Sequence, residues 1–404
     1  MKVIGPFSEL LTMNNLPASG PISDDKLEVA KDVGVLVHNG RIVEIDCFYK
    51  LTKQHSHIEE LPPQSTGTPG FIDSHTHICF SGRREKDYAR RLRGDTYLDI
   101  AKAGGGIQST VQATRKATED ELLQSLLKRL SIQIKHGVTT CEVKSGYGLS
   151  IESEMKMLQT IARAQQRSPA KIVSTCLAAH TLPPEFTNKQ EYLQFLTAEL
   201  LPKIQHDNLT KRIDIFIEES AFSTSEAIPY LTAAKAMGFS IVIHADQFSR
   251  AGSQVAAQLN ALSADHLEAS EDEDFKNLKK ANVIPILVPG ACFGLGLPLP
   301  EARKILNHGL ALVIASDWNP GSAPMGNLLL QAAVLGCQQK MTIAETFAAI
   351  TYRAAKALEV EQGILTVGKV ADINVFPTDN HQDILYHQGM MQPSHVFTNG
   401  ENHL

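Results

Sequence analysis

The chain has 404 residues, of which 43% are hydrophobic and 20% charged, and its formal net charge is −6. This composition is that of an ordinary globular protein, and the length allows two or three domains, one of which can be a large barrel. No block of about five basic residues occurs, which excludes the usual signature of nucleic-acid or anionic-membrane binding. No apolar run reaches about 18 residues, so we expect no transmembrane helix.

The N-terminus and the cysteines indicate the compartment. The first residues, MKVIGPFS, lack the long apolar segment of a signal peptide. The six cysteines are scattered without a C-x-x-C pair, and Cys79, Cys141 and Cys176 lie inside apolar runs where a buried thiol is expected. We therefore expect a cytoplasmic protein without disulfide bonds, and a homodimer from the frequency of that state among enzymes.

Both ends of the chain are rich in β-strand signals. Residues 34–45 form two β-rich runs joined by Asn39-Gly40, a dipeptide that accepts the positive φ angles of a tight hairpin turn. Residues 363–376 suggest two strands around Gly368, and a further Asn-Gly turn signal lies within 396–403. We predict one small β-sandwich built from residues 1–66 and 361–404.

Between these ends, apolar β-rich runs alternate with amphipathic helical patterns. Such alternation predicts parallel βαβ units, and eight of them match the size of a (β/α)8 TIM-like barrel, so the predicted class is α/β with the barrel at residues 67–360. Two further helical stretches, 324–339 and 342–358, follow the last run. The eight predicted strands are 71–77, 138–145, 172–180, 213–219, 240–246, 263–267, 283–289 and 310–317.

The first of these strands carries a His-x-His pattern. Alternate side chains of a strand share a face, which places His75 and His77 about 7 Å apart and within reach of one metal ion. The pattern alone is weak, because His55-Ser-His57 repeats it in a polar stretch with no apolar strand before it. We interpret that second pair as surface residues.

The ends of the predicted strands supply a larger constellation. Barrel enzymes carry their chemistry at the C-terminal ends of the strands. Three imidazoles and one carboxylate there would suit Zn²⁺, with Fe²⁺ or Mn²⁺ as alternatives, and would acidify a bound water for hydrolysis. Asp317 could accept the proton, and His266 could orient the water or stabilise an oxyanion. The residues at these ends are His75, His77, His180, His244, His266 and Asp317.

The motifs around these residues resemble a known family. Histidines ending strands one, five and six and an aspartate ending strand eight are similar to the amidohydrolase superfamily. Within it, the chain resembles the imidazolonepropionase family over nearly its whole length. The stretches that carry the resemblance are PGFIDSHTHICFSGRRE, AKAGGGIQSTVQATR, EVKSGYGLSIESEMKML, AAHTLPPEF, IHADQF, ALSADHLE and SDWNPGSAP.

The resemblance implies hydrolysis of the cyclic amide of 4-imidazolone-5-propanoate to N-formimidoyl-L-glutamate. It implies one divalent metal per chain, zinc or iron, held by His75, His77, His244 and Asp317. The substrate-binding residues that it implies are Arg84, Tyr147, His180, Asn319, Gly321 and Ser322.

Residue chemistry supports some of these roles and leaves others open. A planar guanidinium such as Arg84 can grip a propionate tail bidentately, although the run Arg83-Arg84-Glu85-Lys86 also fits a solvated surface. Tyr147, between two glycines, is a candidate only because it follows strand two. The triple glycine 104–106 follows no strand and lacks G-x-G-x-x-G spacing, so we predict a flexible loop over the mouth and no nucleotide site.

Strand five departs from the pattern of many relatives. These carry His-x-x-Glu, whereas this chain has His244-Ala-Asp-Gln247, and an amide cannot transfer a proton as a carboxylate does. We predict that Gln247 binds substrate and that Asp317 and His266 move protons, which weakens a deaminase assignment. Strand four ends in Glu218-Glu219 and not in a bridging lysine, so one metal is expected, with a bridging glutamate left open.

Two other hypotheses stay open at this point. The chain could hydrolyse another cyclic amide or an amino-substituted ring, such as a hydantoin, pyrimidine or purine, and a substrate panel would separate these. It could also be a catalytically inactive barrel used as a binding module, but such a protein would be free to lose ligands, and this one retains the whole set.

Overall fold

A computed structural model describes residues 1–95, 99–100 and 103–404 of the chain. Its strands, in chain order, are β1 Lys2–Leu11, β2 Val29–His38, β3 Arg41–Cys47, β4 Ile58–Glu60, β5 Thr66–Pro69, β6 Phe71–Asp73, β7 Val138–Lys144, β8 Lys171–Ala179, β9 Arg212–Ile217, β10 Ser240–Ala245, β11 Ser263–His266, β12 Ile284–Leu287, β13 Val313–Ile314, β14 Ile373–Phe376, β15 His395–Thr398 and β16 Glu401–Asn402.

The helices among these residues are mostly short and follow the strands. Thr118, Ser223 and Thr342 each begin a helix with a reciprocal capping box, which explains where α4, α8 and α14 of the following list start. The helices are α1 Phe48–Gln54, α2 Glu85–Leu92, α3 Ile107–Lys116, α4 Glu119–Lys135, α5 Ile151–Gln165, α6 Lys189–Phe195, α7 Leu201–His206, α8 Thr224–Ala236, α9 Gly252–Gln258, α10 Asp272–Lys280, α11 Pro289–Leu295, α12 Ala302–Asn307, α13 Leu328–Gln338, α14 Ile343–Ala349, α15 Tyr352–Leu358 and α16 Gln382–Tyr386, with a 3-10 turn at Asp24–Lys26 and a π-helical turn at Leu196–Leu200.

Strands β6 to β13 form one parallel sheet in chain order. Beyond the ends of β6 and β13, the sheet is closed by a parallel bridge between Thr76 and Trp318 and by backbone hydrogen bonds from His77 N to Trp318 O (2.9 Å) and from Asp317 N to His75 O (3.0 Å). The predicted α/β class and (β/α)8 barrel are therefore confirmed. The closure also brings the first and last predicted ligand segments side by side.

The remaining strands form a curled sheet from both chain ends, as predicted. Its order is β16-β15-β14-β5-β1-β2-β3, with β4 also paired to β1. Side chains from both ends share one apolar core, in which Ile4 and Phe7 of β1 meet Ile373 of β14 and Phe397 of β15. Strand β5 belongs to this sheet, and Gly70 joins it to the barrel. The domain boundaries at 66/67 and 360/361 stay a prediction.

Two details of the sequence interpretation differ from the structure. Residues 363–376 contain one strand, β14, and not two, because 365–370 run along the end of β3 with hydrogen bonds to Ile42 and a single bridge from Val370 to Arg41. Residues 342–358 form two helices, because the helical conformation is interrupted at Ile350 and Thr351 between α14 and α15. The predicted Asn39-Gly40 hairpin is confirmed, with φ angles of 48° and 75°.

Two expectations from composition can be compared with the structure. All six cysteines have free thiols. Among the described residues, no helix is both long enough and apolar enough to cross a membrane.

Candidate metal centre and substrate pocket

Three histidines converge at the C-terminal end of the barrel. His244 lies in β10, and His75 and His77 follow β6, on either side of the Thr76 bridge. The Nε2 atom of His77 lies 3.2 Å from Nε2 of His75 and 3.2 Å from Nε2 of His244. All three side chains are buried, so this group of ring nitrogens is held inside the protein.

Asp317 completes the group from the other side of the barrel closure. Its Oδ1 atom lies 3.3 Å from Nε2 of His77 and 3.6 Å from Nε2 of His75. An ion bound tetrahedrally at about 2.0–2.1 Å from each ligand would separate the ligand atoms by about 3.3–3.4 Å. The distances from Nε2 of His77 to the other three residues, and the one from Asp317 to His75, are therefore close to those of a tetrahedral metal site.

Two buried carboxylates lie behind the histidines. Nδ1 of His75 is 2.6 Å from Oδ2 of Asp265, and Nδ1 of His244 is 3.0 Å from Oδ2 of Asp214. Such contacts favour the tautomer with the proton on Nδ1 and a lone pair on Nε2. The lone pairs of His75 and His244 both lie 3.2 Å from Nε2 of His77, and a single proton on that atom could satisfy only one of them, which is a second reason why these residues fit a metal.

Lys144 lies between the carboxylates of Asp214 and Asp265. Its Nζ atom donates to Asp214 (2.8 Å) and Glu142 (3.0 Å) and lies 3.8 Å from Asp265. Burial alone would lower the pKa of Lys144, but these three carboxylates raise it and keep the ammonium charged. Lys144 is the last residue of β7, and its function was not predicted from the sequence. The signal was present as acidic residues within apolar strands, at Asp214 between Ile213 and Ile215 and at Asp265 before His266.

Burial determines the protonation of the group. It lowers the pKa of His75 and His77 well below the ordinary value, and that of His244 to about 3. Neutral imidazole is the form that binds a metal. Burial also raises the pKa of Asp317, and it raises that of Asp265 to about 7.

His266, the last residue of β11, lies beside the histidine group without joining it. Its ring centroid is 5.2 Å from that of His244 and 5.6 Å from that of His75. Nδ1 of His266 is 3.4 Å from Oε1 of Glu268. Burial alone would lower the pKa of His266, but the charge of Glu268 raises it. The imidazolium form, which can stabilise an oxyanion, is therefore more accessible than in an ordinary histidine.

Aromatic and imidazole rings form one wall of the pocket. His180, directly after β8, stacks on His77 with ring centroids 5.4 Å apart and lies at the same centroid distance from Tyr147. Nδ1 of His180 is 3.0 Å from the carbonyl oxygen of Gly146. This contact fixes the imidazole ring over the histidine group and so explains why the loop after β7 contributes to the site.

The loop after β13 forms another part of the wall. The side-chain oxygen of Asn319 accepts hydrogen bonds from the backbone N–H groups of Gly321 (2.7 Å) and Ser322 (2.8 Å). The amide nitrogen of Asn319 donates to Oγ of Ser322 (2.9 Å) and to the carbonyl oxygen of Asp317 (2.7 Å). Asn319 thus shapes its own loop as well as lining the pocket.

The loop after β10 contains Gln247 and is held by Glu218. The carboxylate of Glu218 accepts hydrogen bonds from the backbone N–H groups of Phe248 (3.0 Å) and Ser249 (3.2 Å), and also from Oγ of Ser249. The glutamate that the sequence left open as a metal bridge is thus engaged by this loop. The half-buried Gln247 faces the pocket, as a substrate-binding residue would.

One pocket collects nearly all the predicted site residues, and His75 lies beneath it. The structure adds Asp87, Arg91 and Phe216 to this lining, none of which the sequence analysis singled out. The predicted residues that line the pocket are His77, Arg84, Tyr147, His180, His244, Gln247, His266, Asp317, Asn319, Gly321 and Ser322.

Comparison with known proteins identifies the family. The Amidohydrolase family model matches residues 100–385. Imidazolonepropionase from Alkaliphilus oremlandii is 41% identical over 83% of this chain and 81% of its own length. Imidazolonepropionase from Pseudomonas aeruginosa is 42% identical over 83% of this chain and 84% of its own length. The chain belongs to the imidazolonepropionase family. It is therefore a hydrolase of the amidohydrolase superfamily.

Solved structures share the fold of this imidazolonepropionase family member at low sequence identity. Aminofutalosine deaminase from Helicobacter pylori covers the whole chain with a TM-score of 0.72 and 18% identity. An adenosine deaminase from Xanthomonas campestris with bound zinc also has a TM-score of 0.72, with 15% identity, and covers all of this chain and 92% of that one. At such identities the likeness concerns the fold alone.

Proposed function

We propose that the enzyme hydrolyses the cyclic amide of 4-imidazolone-5-propanoate and releases N-formimidoyl-L-glutamate. The observation that carries the proposal is a single pocket with a metal-type histidine group at its floor and the Arg84 guanidinium on its wall. A substrate with a ring amide at one end and a carboxylate at the other suits these two features. The relatives named imidazolonepropionase, at 41–42% identity, support the same substrate.

The metal proposed is one divalent ion per chain, zinc first and iron second. His75, His77, His244 and Asp317 would hold it, since the imidazoles are neutral and Nε2 of His77 lies 3.2–3.3 Å from a ligand atom of each of the other three residues. Such an ion supplies Lewis acidity, which acidifies water and polarises a carbonyl group. A homodimer and a cytoplasmic location remain further proposals, based on base rates and on the free cysteines.

Asp317 is the proposed proton carrier. Its Oδ1 atom faces the histidines, and Oδ2 lies 3.5 Å from Oγ of Ser322 on the pocket side. Oδ2 can take a proton from the attacking water and pass it to the ring nitrogen as the carbon–nitrogen bond breaks. Burial raises the pKa of Asp317, which makes the carboxylate a better acceptor. The water oxygen remains on the former carbonyl carbon.

Three other groups of the chain would hold the substrate. His266, favoured as an imidazolium by Glu268, can stabilise the oxyanion that develops on the carbonyl oxygen. Gln247 can donate to and accept from the ring amide without transferring a proton. Arg84 can bind the propionate through a charge-assisted pair of hydrogen bonds. Together they orient the carbonyl group toward the floor of the pocket.

The experiment that tests this proposal is turnover of freshly prepared 4-imidazolone-5-propanoate, followed by loss of its ultraviolet absorbance. The metal content of the same sample is measured in parallel. We expect turnover with about one metal ion per chain. Metal-loaded enzyme without turnover would contradict the substrate assignment and favour another cyclic amide, whereas absence of both turnover and metal would contradict the metal site.

A further inference from the structure

Asp87 is a buried carboxylate of the pocket wall to which the proposed mechanism gives no task. It lies on α2, a helix whose sequence, EKDYARRL, is otherwise that of a solvated surface. Its side chain accepts a hydrogen bond from Nε of Arg84 (2.6 Å) and another from the backbone N–H of Gly106 (2.9 Å), both at Oδ2. One carboxylate oxygen thus connects the proposed substrate-binding arginine to the triple-glycine loop.

The glycines of that loop have a steric reason to be glycine. A Cβ atom on Gly105 would lie 2.5 Å from Oδ1 of Asp87, a distance that real Cβ contacts do not reach. Gly106 has φ 72° and ψ −159°, a conformation that only glycine adopts readily, and this turns its N–H toward the carboxylate. The loop is therefore shaped around Asp87, which gives the AGGGI motif a function other than the flexible cover that the sequence suggested.

The guanidinium of Arg84 is held from two sides. Asp87 occupies the Nε–H, so the fork that remains complete is the one formed by the two Nη atoms. Gly321 packs against that end, since a Cβ atom there would lie 2.9 Å from Nη1 and 3.2 Å from Cζ of Arg84. Within the described residues, the Arg84 side chain makes one hydrogen bond, the one to Asp87.

These contacts matter because an arginine side chain is otherwise flexible. A long side chain that must be ordered at each binding event loses conformational entropy, which weakens binding, and a preorganised fork avoids that cost. With its Nε–H engaged and its side chain only 6% exposed, Arg84 is confined to orientations that direct the Nη fork away from Asp87. Arg84 also shares the pocket with the histidine group, so the direction of the fork decides whether an acidic tail fits.

We propose that Asp87, seated in the 104–106 glycine loop, is a positioning residue that orients Arg84 and thereby makes the pocket selective for substrates with a carboxylate tail. This inference rests on the proposed function, because it assumes that Arg84 binds the propionate. It assigns Asp87 no contact with the reacting atoms. It therefore predicts an effect on substrate binding and on discrimination between acid and neutral tails, and little effect on the chemical step.

The test compares Asp87→Ala, Asp87→Asn and Gly105→Ala with the metal-loaded wild-type enzyme. We expect Asp87→Ala to raise KM for 4-imidazolone-5-propanoate by up to about tenfold, the effect of losing Arg84 itself, and to change kcat by less than about threefold. Gly105→Ala should act in the same direction by displacing the carboxylate. Asp87→Asn keeps a hydrogen-bond acceptor without the charge and should lie between wild type and Asp87→Ala.

A second measurement separates positioning from general damage. The unreactive imidazole-4-propanoate and its tail amide are titrated against each metal-loaded variant. We expect Asp87→Ala to lose about tenfold in affinity for the acid and to keep its affinity for the amide. Asp95→Ala is the matched control, because Asp95 makes a similar contact with Nε of Arg90 on the same helix (2.5 Å) and does not line the pocket.

The outcomes are distinguishable from those of the proposed function. If the wild-type enzyme does not turn over 4-imidazolone-5-propanoate, the substrate assignment fails. If it does, and Asp87→Ala keeps the wild-type preference for the acid, the positioning role is overturned. Equal loss of affinity for acid and amide in Asp87→Ala, or in the milder Asp87→Asn should the alanine variant not fold, would also overturn it.

Discussion

The floor and the mouth of this pocket are built by different means. The floor, defined as His75, His77, His244 and Asp317, stands on strand ends and is supported by buried charges, with Lys144 between Asp214 and Asp265. The mouth, defined as α2, the loop 103–106 and residues 319–322 after β13, is joined by hydrogen bonds between these segments. One of these runs from Arg91 Nη2 to the carbonyl oxygen of Gly321 (2.7 Å).

The difference indicates that the two regions divide the work. A metal site needs ligands fixed to fractions of an ångström, which buried strand ends provide. Substrate specificity needs groups that can vary among relatives, and loops on a rigid scaffold provide these. Substitutions in the floor should therefore change metal binding, whereas substitutions in the mouth should change KM. The following experiments test that separation, beginning with the largest effect.

His244→Ala should remove one of the three imidazoles of the floor and abolish both metal retention and turnover, with activity falling by about a thousandfold or more. Metal content and turnover are measured on the same preparation. His308→Ala is the control, because His308 pairs with Asp272 at the surface, far from the floor. Turnover retained at full metal loss would contradict the assignment of the floor.

Asp265→Ala should weaken metal binding without removing a ligand. Loss of the carboxylate at 2.6 Å frees the orientation of His75, and removal of such partners typically costs about 10- to 100-fold in metal affinity. The affinity is measured by competition with a chromophoric chelator. Asp274→Ala removes another buried carboxylate, paired with Arg250, and should lower stability but not metal affinity. If Asp265→Ala and Asp274→Ala had similar metal affinities, the support that Asp265 gives to the floor would be refuted.

Arg84→Ala should have the smallest effect and should confine it to the mouth. Loss of a charge-assisted contact costs about 1.5 kcal/mol or more, which corresponds to about a tenfold rise in KM, with kcat and metal content close to wild type. Steady-state kinetics on metal-assayed enzyme provide the measurement. Arg83→Ala, the exposed neighbour, serves as the control. An unchanged KM would remove the carboxylate role, and a loss of metal would show that floor and mouth are not separable.

The floor was predictable from sequence because its residues are unusual for their positions. Histidines and an aspartate at the ends of apolar β-rich runs stand out, and parallel strands bring such ends together in a barrel. The supporting carboxylates were predictable in principle as well, since Asp214 lies between two isoleucines in a buried strand. What the pattern could not give is their pairing with His244 and His75, which depends on the register between neighbouring strands.

The mouth was harder to predict because its contacts join segments that are distant in sequence. Asp87 belongs to a helix whose residues are mostly charged, and it is buried where Arg84, Gly105 and Gly106 pack against it. The same reason explains why only one of the two strands predicted around Gly368, within 363–376, forms. The segment before Gly368 has an apolar pattern, but Gly368 donates a backbone hydrogen bond to Ile42 and Lys369 accepts one from it, in a loop. The local sequence pattern indicates whether a segment is apolar or charged, whereas the distant segments that it packs against determine the structure that it adopts.

The curled sheet has a consequence for how the protein is made. Strand β5, near the start of the chain, pairs on one side with β1 and on the other with β14, so that Thr68 lies opposite Asn374. The ribosome synthesises β1 and β5 long before β14, and contacts between segments so distant in sequence form slowly. The apolar core around Phe7 and Leu10 is therefore incomplete until Ile373 and Phe397 have been synthesised. Completion of this sheet therefore has to follow the synthesis of both ends of the chain.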